Sequence, residues 1–254
     1  MARANEPEER WPGDSLRATG VSRSFEGIRA LWQVDLELHR HEVVGLVGPN
    51  GAGKTTLVNV LSGFAFPDTG SVVLAGRDIT RWSPARRGRG GLARTFQHSR
   101  SFRSLSVREN VEVSALGGGV SPRAARRRAD ELLDLLGLTR YAQRPASTLA
   151  HGDERKLGVA RALALAPSFV LMDEPAAGLP AVEVSDFAAV VQIVRQRGAG
   201  VLLIDHNMAL IMEVCDRIQV LDQGRTLAEG TPAEIRGNLD VAAAYLGETA
   251  IHDA

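Results

Sequence analysis

The stretch Gly48-Pro49-Asn50-Gly51-Ala52-Gly53-Lys54-Thr55-Thr56 fits the pattern G-x-x-x-x-G-K-[ST]. Glycines at this spacing let successive backbone N–H groups turn toward one point, which suits the oxygens of a phosphate chain. A helix opening near Lys54 would aim the positive end of its dipole there, and the lysine ammonium would neutralise β- and γ-phosphate oxygens. Thr55 would offer its hydroxyl to Mg²⁺. Of the 30 basic residues only Lys54 and Lys156 are lysine. Arginine thus serves nearly wherever a plain positive charge suffices, and the lysine at 54 stands out as chosen for its chemistry. The alternative, a purely structural glycine-rich turn, is disfavoured by the strand-like residues before the loop and the helix-like residues after it.

Downstream, Phe169-Val170-Leu171-Met172 is followed by Asp173 and Glu174. In this setting Asp173 would hold Mg²⁺ through water, and Glu174 would polarise a water toward the γ-phosphate. Taken alone, an acidic pair after an apolar run is more often only the end of a strand. The loop at Lys54 tips the balance toward chemistry. A further apolar run, Val201-Leu202-Leu203-Ile204, ends in Asp205-His206, and a histidine at the carboxyl end of a strand beside an acid is well placed to act.

These residues need elements to position them. Loose alternation of apolar and polar residues from Leu16 to Leu38, as in Val34-Asp35-Leu36-Glu37-Leu38, predicts half-buried antiparallel strands. Val43 to Val47 is almost wholly apolar and predicts a buried strand, with a helix over Thr55 to Leu61. The runs ending at Met172 and Ile204 predict central parallel strands whose carboxyl ends carry the polar residues, where α/β sheets bind ligands. Between them Pro122 to Leu138, with its stripe of Leu132, Leu133, Leu135 and Leu136, and Asp153 to Ala166 predict helices. Gly117-Gly118-Gly119 predicts a turn, and a closing helix is expected over Leu239 to Leu246. The implied fold class is α/β, with a nucleotide-binding sheet core, an N-terminal antiparallel β-layer and an inserted helical subdomain.

Composition fits an ordinary globular chain of 254 residues, 44% apolar and 24% charged, with 30 basic and 30 acidic residues. A formal net charge of zero gives no global field for nucleic acid or anionic lipid. The cluster Arg123, Arg126, Arg127 and Arg128 reads as a solvated helix face balanced by Asp130 and Glu131. The single cysteine, Cys215, forbids an internal disulfide and suits a reducing compartment. The first residues are acidic and polar where an export signal would be apolar, and no run of 18 apolar residues occurs.

Other motifs follow in order: Gln97 within Arg94-Thr95-Phe96-Gln97, then Leu149-Ala150-His151-Gly152-Asp153, then His206. With the two acids and the lysine loop, the chain from about 16 to 248 resembles the ATPases of ABC transporters. Val107-Arg108-Glu109-Asn110, Asp173 to Leu179, Gly230 to Ile235 and Ala244-Tyr245-Leu246-Gly247-Glu248 resemble most the LivG-type ATPases of branched-chain amino acid importers. The resemblance implies a P-loop NTPase (RecA-like) core over about 15–97 and 167–236, a helical subdomain over about 98–166 and a C-terminal segment over 237–248. Residues 1–14 are then a leader and 249–254 a tail. ATP and Mg²⁺ are the implied cofactors, with Lys54, Gln97, Glu174 and His206 catalytic, and Thr55, Gln97 and Asp173 at the metal.

By the same resemblance Gln97 touches Mg²⁺ and the attacking water and reports to the permease, while His206 hydrogen-bonds the γ-phosphate. Phe25 stands where an aromatic stacks on adenine, the alternative being a plain core residue. Ala150 and Gly152 belong to the segment that closes over nucleotide held by an opposing subunit. The implied partners are a second ATPase subunit, identical or a sister, two membrane permease subunits, and indirectly an extracytoplasmic solute-binding protein, with no nucleic acid. The expected place is the cytoplasmic face of the cell membrane, and the expected cargo branched-chain amino acids or related small solutes. Two departures stand out: Ala150 replaces the usual signature serine, and Pro180 follows Leu179 where the family has Asn or Asp. The rival readings are a permease-independent ATPase of this family and a catalytically weakened, regulatory nucleotide-binding subunit.

Overall fold

The computed structural model describes residues 14–96 and 101–252. β1 (Ser15–Phe25) and β2 (Ile28–His39) pair as an antiparallel hairpin. Their two-residue turn, Glu26-Gly27, has positive φ at both positions, matching the strands' own twist. β3 (Val43–Val47) leads into α1 (Lys54–Ser62). Next come β4 (Thr69–Leu74), β5 (Arg77–Asp78), α2 (Pro84–Arg89) and β6 (Leu92–Arg94). Three helices follow with no strand between them, α3 (Val107–Gly117), α4 (Pro122–Leu135) and α5 (His151–Leu163). The chain then alternates β7 (Phe169–Asp173), α6 (Ala181–Gln196), β8 (Gly200–Ile204), α7 (Met208–Val214) and β9 (Arg217–Asp222). It closes with β10 (Arg225–Gly230), α8 (Pro232–Arg236) and α9 (Leu239–His252).

Among the described residues the strands make two sheets, an antiparallel one of order β2-β1-β4-β5 and a six-stranded one of order β10-β9-β3-β8-β7-β6. In the larger sheet β9, β3, β8, β7 and β6 run parallel, and only β10 at the edge is antiparallel. Both its faces are covered. Val43, Val170, Met172, Val201 and Leu203 pack into the core shared with α3 to α7. Their neighbours Val44, Leu171, Leu202 and Ile204 pack into the core shared with α1 and the antiparallel layer. That alternation, within runs apolar at every position, is what a strand buried on both faces demands.

Helix boundaries moved relative to the sequence expectation. α4 stops at Leu135 rather than Leu138, because Gly137 adopts φ +71° and closes a left-handed cap. Leu138 N–H donates to Leu133 O and Gly137 N–H to Asp134 O, the paired bonds that satisfy a helix's last carbonyls. α5 begins at His151 and ends at Leu163, three residues short of Ala166, which takes φ +51°. α9 runs on past Leu246 to His252, with no proline in 247–252 to break it. The arginine cluster is partly a solvated face, with Arg127 3.7 Å from Glu131, but Arg128 also donates to Ala164 O just beyond α5.

One polar anchor fixes the helix that follows the lysine loop. Arg87 is fully buried, and its guanidinium donates to Val60 O, Leu61 O, Thr80 O and Trp82 O. It supplies donors to Val60 O and Leu61 O in the last turn of α1, where Gly63 N–H also reaches Val60 O. Burial pushes its pKa down to about 10, so it remains a cation at neutral pH. Replacing it with methionine removes a donor from four carbonyls, of which Val60 O keeps the Gly63 N–H. Urea unfolding of Arg87→Met is expected to show a loss of about 3 kcal/mol; a loss under about 1 kcal/mol would contradict this role.

Candidate functional site

The loop between β3 and α1 is shaped by glycines that no other residue could replace. Gly48 sits at φ +146°, and a Cβ there would lie 2.0 Å from Leu221 O. Gly53 sits at φ +103°, and a Cβ would lie 2.5 Å from Ala30 O. Backbone packs against backbone on the outside of the turn, which leaves no room there for a side chain. Gly53 is the N-cap of α1 and makes no side-chain cap bond, so the first-turn amides of the helix are not capped by a side chain. Lys54 is buried, and its Nζ donates to Gly48 O at 2.6 Å and Pro49 O at 2.8 Å. Those bonds curl the side chain back over its own loop and hold the ammonium at the mouth of the cradle.

Residues Asn50 to Thr56 line a cavity of about 180 Å³ together with Ala30, Glu174 and His206. The sheet order explains the convergence: β3, β8 and β7 are neighbours and parallel, so their carboxyl ends lie side by side. Glu174, just past β7, takes φ +46°, a conformation that costs a non-glycine residue about 1–3 kcal/mol. Its N–H donates to Ile204 O at 2.7 Å, and its carboxylate meets His206 Nε2 at 3.3 Å. The strain is thus spent on turning one carboxylate toward the histidine that follows β8. The arrangement can hold a polyanion by backbone amides and an ammonium, with a carboxylate and an imidazole at its far end.

The other expected site residues fall elsewhere. Asp173 is buried at the end of β7 and does not line this cavity; its Oδ2 accepts from Arg94 Nη2 at 2.7 Å. Phe25 ends β1, half exposed, with the Arg23 guanidinium 4.8 Å from its ring centroid, and it too stands outside the cavity lining. Ala150 and Gly152 line a separate cavity of about 240 Å³ with Arg140, Asp153, Lys156 and Glu183. Gln97 lies outside the described residues.

Both sequence departures have a structural place. Ala150 is the N-cap of α5 and provides no side-chain acceptor, so no side chain caps the first-turn amides of that helix. Pro180 is the N-cap of α6 at φ −61°, a position where its missing N–H costs nothing.

Two residues that tie elements around the site together escape sequence reasoning. Asp205, buried between the strand end and His206, accepts from Ala176 N–H at 2.9 Å and Asn207 N–H at 2.8 Å. It thereby ties the loop after Glu174 to the loop carrying His206. The only sequence signal was its adjacency to the histidine. Arg94 is the other, and its signal was only a place in the motif leading to Gln97.

The ABC transporter family profile matches residues 31–177, and that of the branched-chain amino acid ATP-binding cassette transporter matches 225–251. The high-affinity branched-chain amino acid transport ATP-binding protein LivG of Salmonella typhimurium is 41% identical over 249 residues, covering 92% of this chain and 98% of the relative. An ATP-binding cassette of an ABC transporter solved in its ADP conformation superposes with a TM-score of 0.84 at 28% identity, covering 92% of this chain and 99% of that one. A dimeric cassette in a post-hydrolysis state with ADP and Pi gives a TM-score of 0.75 at 25% identity, covering 85% and 98%. A profile spanning the whole segment from the lysine loop to the acidic pair, and a relative this similar along nearly its whole length, place the chain in the ABC transporter family, as one of its nucleotide-binding ATPases.

Proposed function

We propose that this chain is the ATP-hydrolysing subunit of an importer for branched-chain amino acids or related small solutes, working at the cytoplasmic face of the cell membrane. The cargo reading rests on the likeness to LivG and on the C-terminal profile over 225–251. No helix of the described residues is long and apolar enough to cross a membrane; permease subunits, as the family resemblance implies, would hold the chain at the membrane. The observation that carries the catalytic reading is the convergence of Asn50 to Thr56, Glu174 and His206 on one cavity.

The residues suit a magnesium nucleotide. A Cβ at Gly48 or Gly53 would collide with Leu221 O or Ala30 O behind the turn, so only glycine allows this cradle, and no cluster of three or more His, Cys, Asp or Glu among the described residues forms a protein cage for an ion. Mg²⁺ typically keeps waters and phosphate oxygens and takes few protein ligands, here Thr55, Asp173 and, by resemblance, Gln97. When bound, the ion neutralises charge on the β- and γ-oxygens. The chain's own groups do the rest. Backbone amides of 51–55 and Lys54 grip the phosphates, Glu174 orients and deprotonates the attacking water, and His206 holds the γ-phosphate and the Glu174 carboxylate in register. Phe25 offers its ring to adenine.

Ala150 and Gly152 share no cavity with the lysine loop, which supports a head-to-tail dimer in which each copy's segment closes on the nucleotide of the other. The second subunit is an identical chain or a sister. A cleft of about 400 Å³ lined by Phe96, Phe102, Ser114 and Arg161, flanked by the exposed Phe64, fits an apolar element of the permease.

Glu174→Gln is expected to lower turnover roughly 10²–10³-fold with ATP affinity nearly unchanged; equal turnover in phosphate-release assays would remove Glu174 from the mechanism. Gly152→Asp should lower turnover of the assembled transporter roughly 10²-fold while the isolated chain binds nucleotide as before. Loss of nucleotide binding by the isolated variant would place the segment in the chain's own site and overturn the head-to-tail arrangement.

A further inference from the structure

We propose that Arg94 is a positioning residue for hydrolysis: it fixes the Asp173 carboxylate by one oxygen and ties it to α1 and to the segment leading to Gln97. The inference rests on the reading of Asp173 as a metal-site residue. β6 and β7 pair in parallel with Arg94 opposite Leu171, which brings the guanidinium within reach of the strand end two residues on. Its Nη2 donates to Asp173 Oδ2 at 2.7 Å, and its Nη1 donates to Asn59 Oδ1 at 2.7 Å and Ser62 Oγ at 3.0 Å, both on α1. The guanidinium also lies 5.0 Å from the Phe96 ring centroid and 5.6 Å from that of Phe64, rings which themselves pack edge to face.

Side chains of Arg94 and Asp173 are 9% and 12% exposed, and Arg94 Nε is buried with no hydrogen-bond partner. A buried pair with an unsatisfied donor is a poor device for stability, since desolvation of both ions consumes most of the attraction. What the contact does is geometric. With Oδ2 held, rotation of the Asp173 carboxylate is stopped, and Oδ1 keeps one orientation relative to the helix that the lysine loop opens. The planar fork reaches two elements at once, which a lysine cannot do. Residues that orient a metal-site carboxylate in this way commonly change metal affinity 10–100-fold when replaced.

The test uses the full chain loaded with a non-hydrolysable ATP analogue, with Mn²⁺ binding followed by electron paramagnetic resonance. Arg94→Lys and Arg94→Gln are both expected to weaken Mn²⁺ binding about tenfold, with analogue affinity in EDTA unchanged and no added effect when Asp173→Asn is already present. A positive charge acting only by repulsion would give the opposite sign, tighter Mn²⁺ in Arg94→Gln and no change in Arg94→Lys. That result, or no change in either, overturns the proposal while a weakened Asp173→Asn leaves the metal-site reading standing. Unchanged Mn²⁺ binding in Asp173→Asn would sink the reading itself. Should Arg94→Gln fail to fold, Asn59→Ala keeps both ions and removes one anchor of the guanidinium; it should weaken Mn²⁺ several-fold, and wild-type binding in it counts against the proposal.

Discussion

Parallel pairing of β3 with β8 and of β8 with β7 brings three strand ends into one row, and each end delivers one part of the site. β3 delivers the glycine turn and Lys54, β8 delivers His206, and β7 delivers Glu174. No long-range contact between these side chains would exist without that order. Both faces of the strands are buried, which fixes the register of each, because sliding a strand by one residue would exchange its two hydrophobic faces. The site inherits its precision from the core beneath it.

Around that row the fold places secondary ties rather than further reacting groups. Asp205 joins the backbone after Glu174 to the backbone before α7, so carboxylate and imidazole cannot drift apart independently. Arg87 holds the far end of α1, and Arg94 links the middle of that helix to Asp173. The helix opened by the glycine turn is therefore pinned at its middle and its far end. The strained φ of Glu174 is tolerated because its N–H is locked to Ile204 O.

Much of this was legible in the residues. The turn from Gly48 to Thr56 could be read because its pattern is local: glycines stand where φ is +146° at 48 and +103° at 53, with the lysine next in sequence. The buried strands could be read from apolar runs, and the fold class followed from their alternation with helices. Helix ends were less legible, since the stop of α4 depends on Gly137 taking φ +71°, a choice the leucine stripe masked. Arg94 and Asp205 could not be assigned roles, because their partners lie across a strand pairing or a loop contact. Pro180 read as a disturbance from sequence and became a helix cap once α6 was seen to begin at Ala181.

The central claim is that the turn at 48–56 cradles a triphosphate whose far end faces Glu174 and His206. A crystal structure of the full chain grown with Mg²⁺ and a non-hydrolysable ATP analogue tests it most directly. The account expects the β- and γ-phosphates within hydrogen-bonding distance of the amides of 51–55 and of Lys54, with Glu174 and His206 at the γ-phosphate. Nucleotide bound elsewhere with the turn empty, or a γ-phosphate directed away from both side chains, would contradict it.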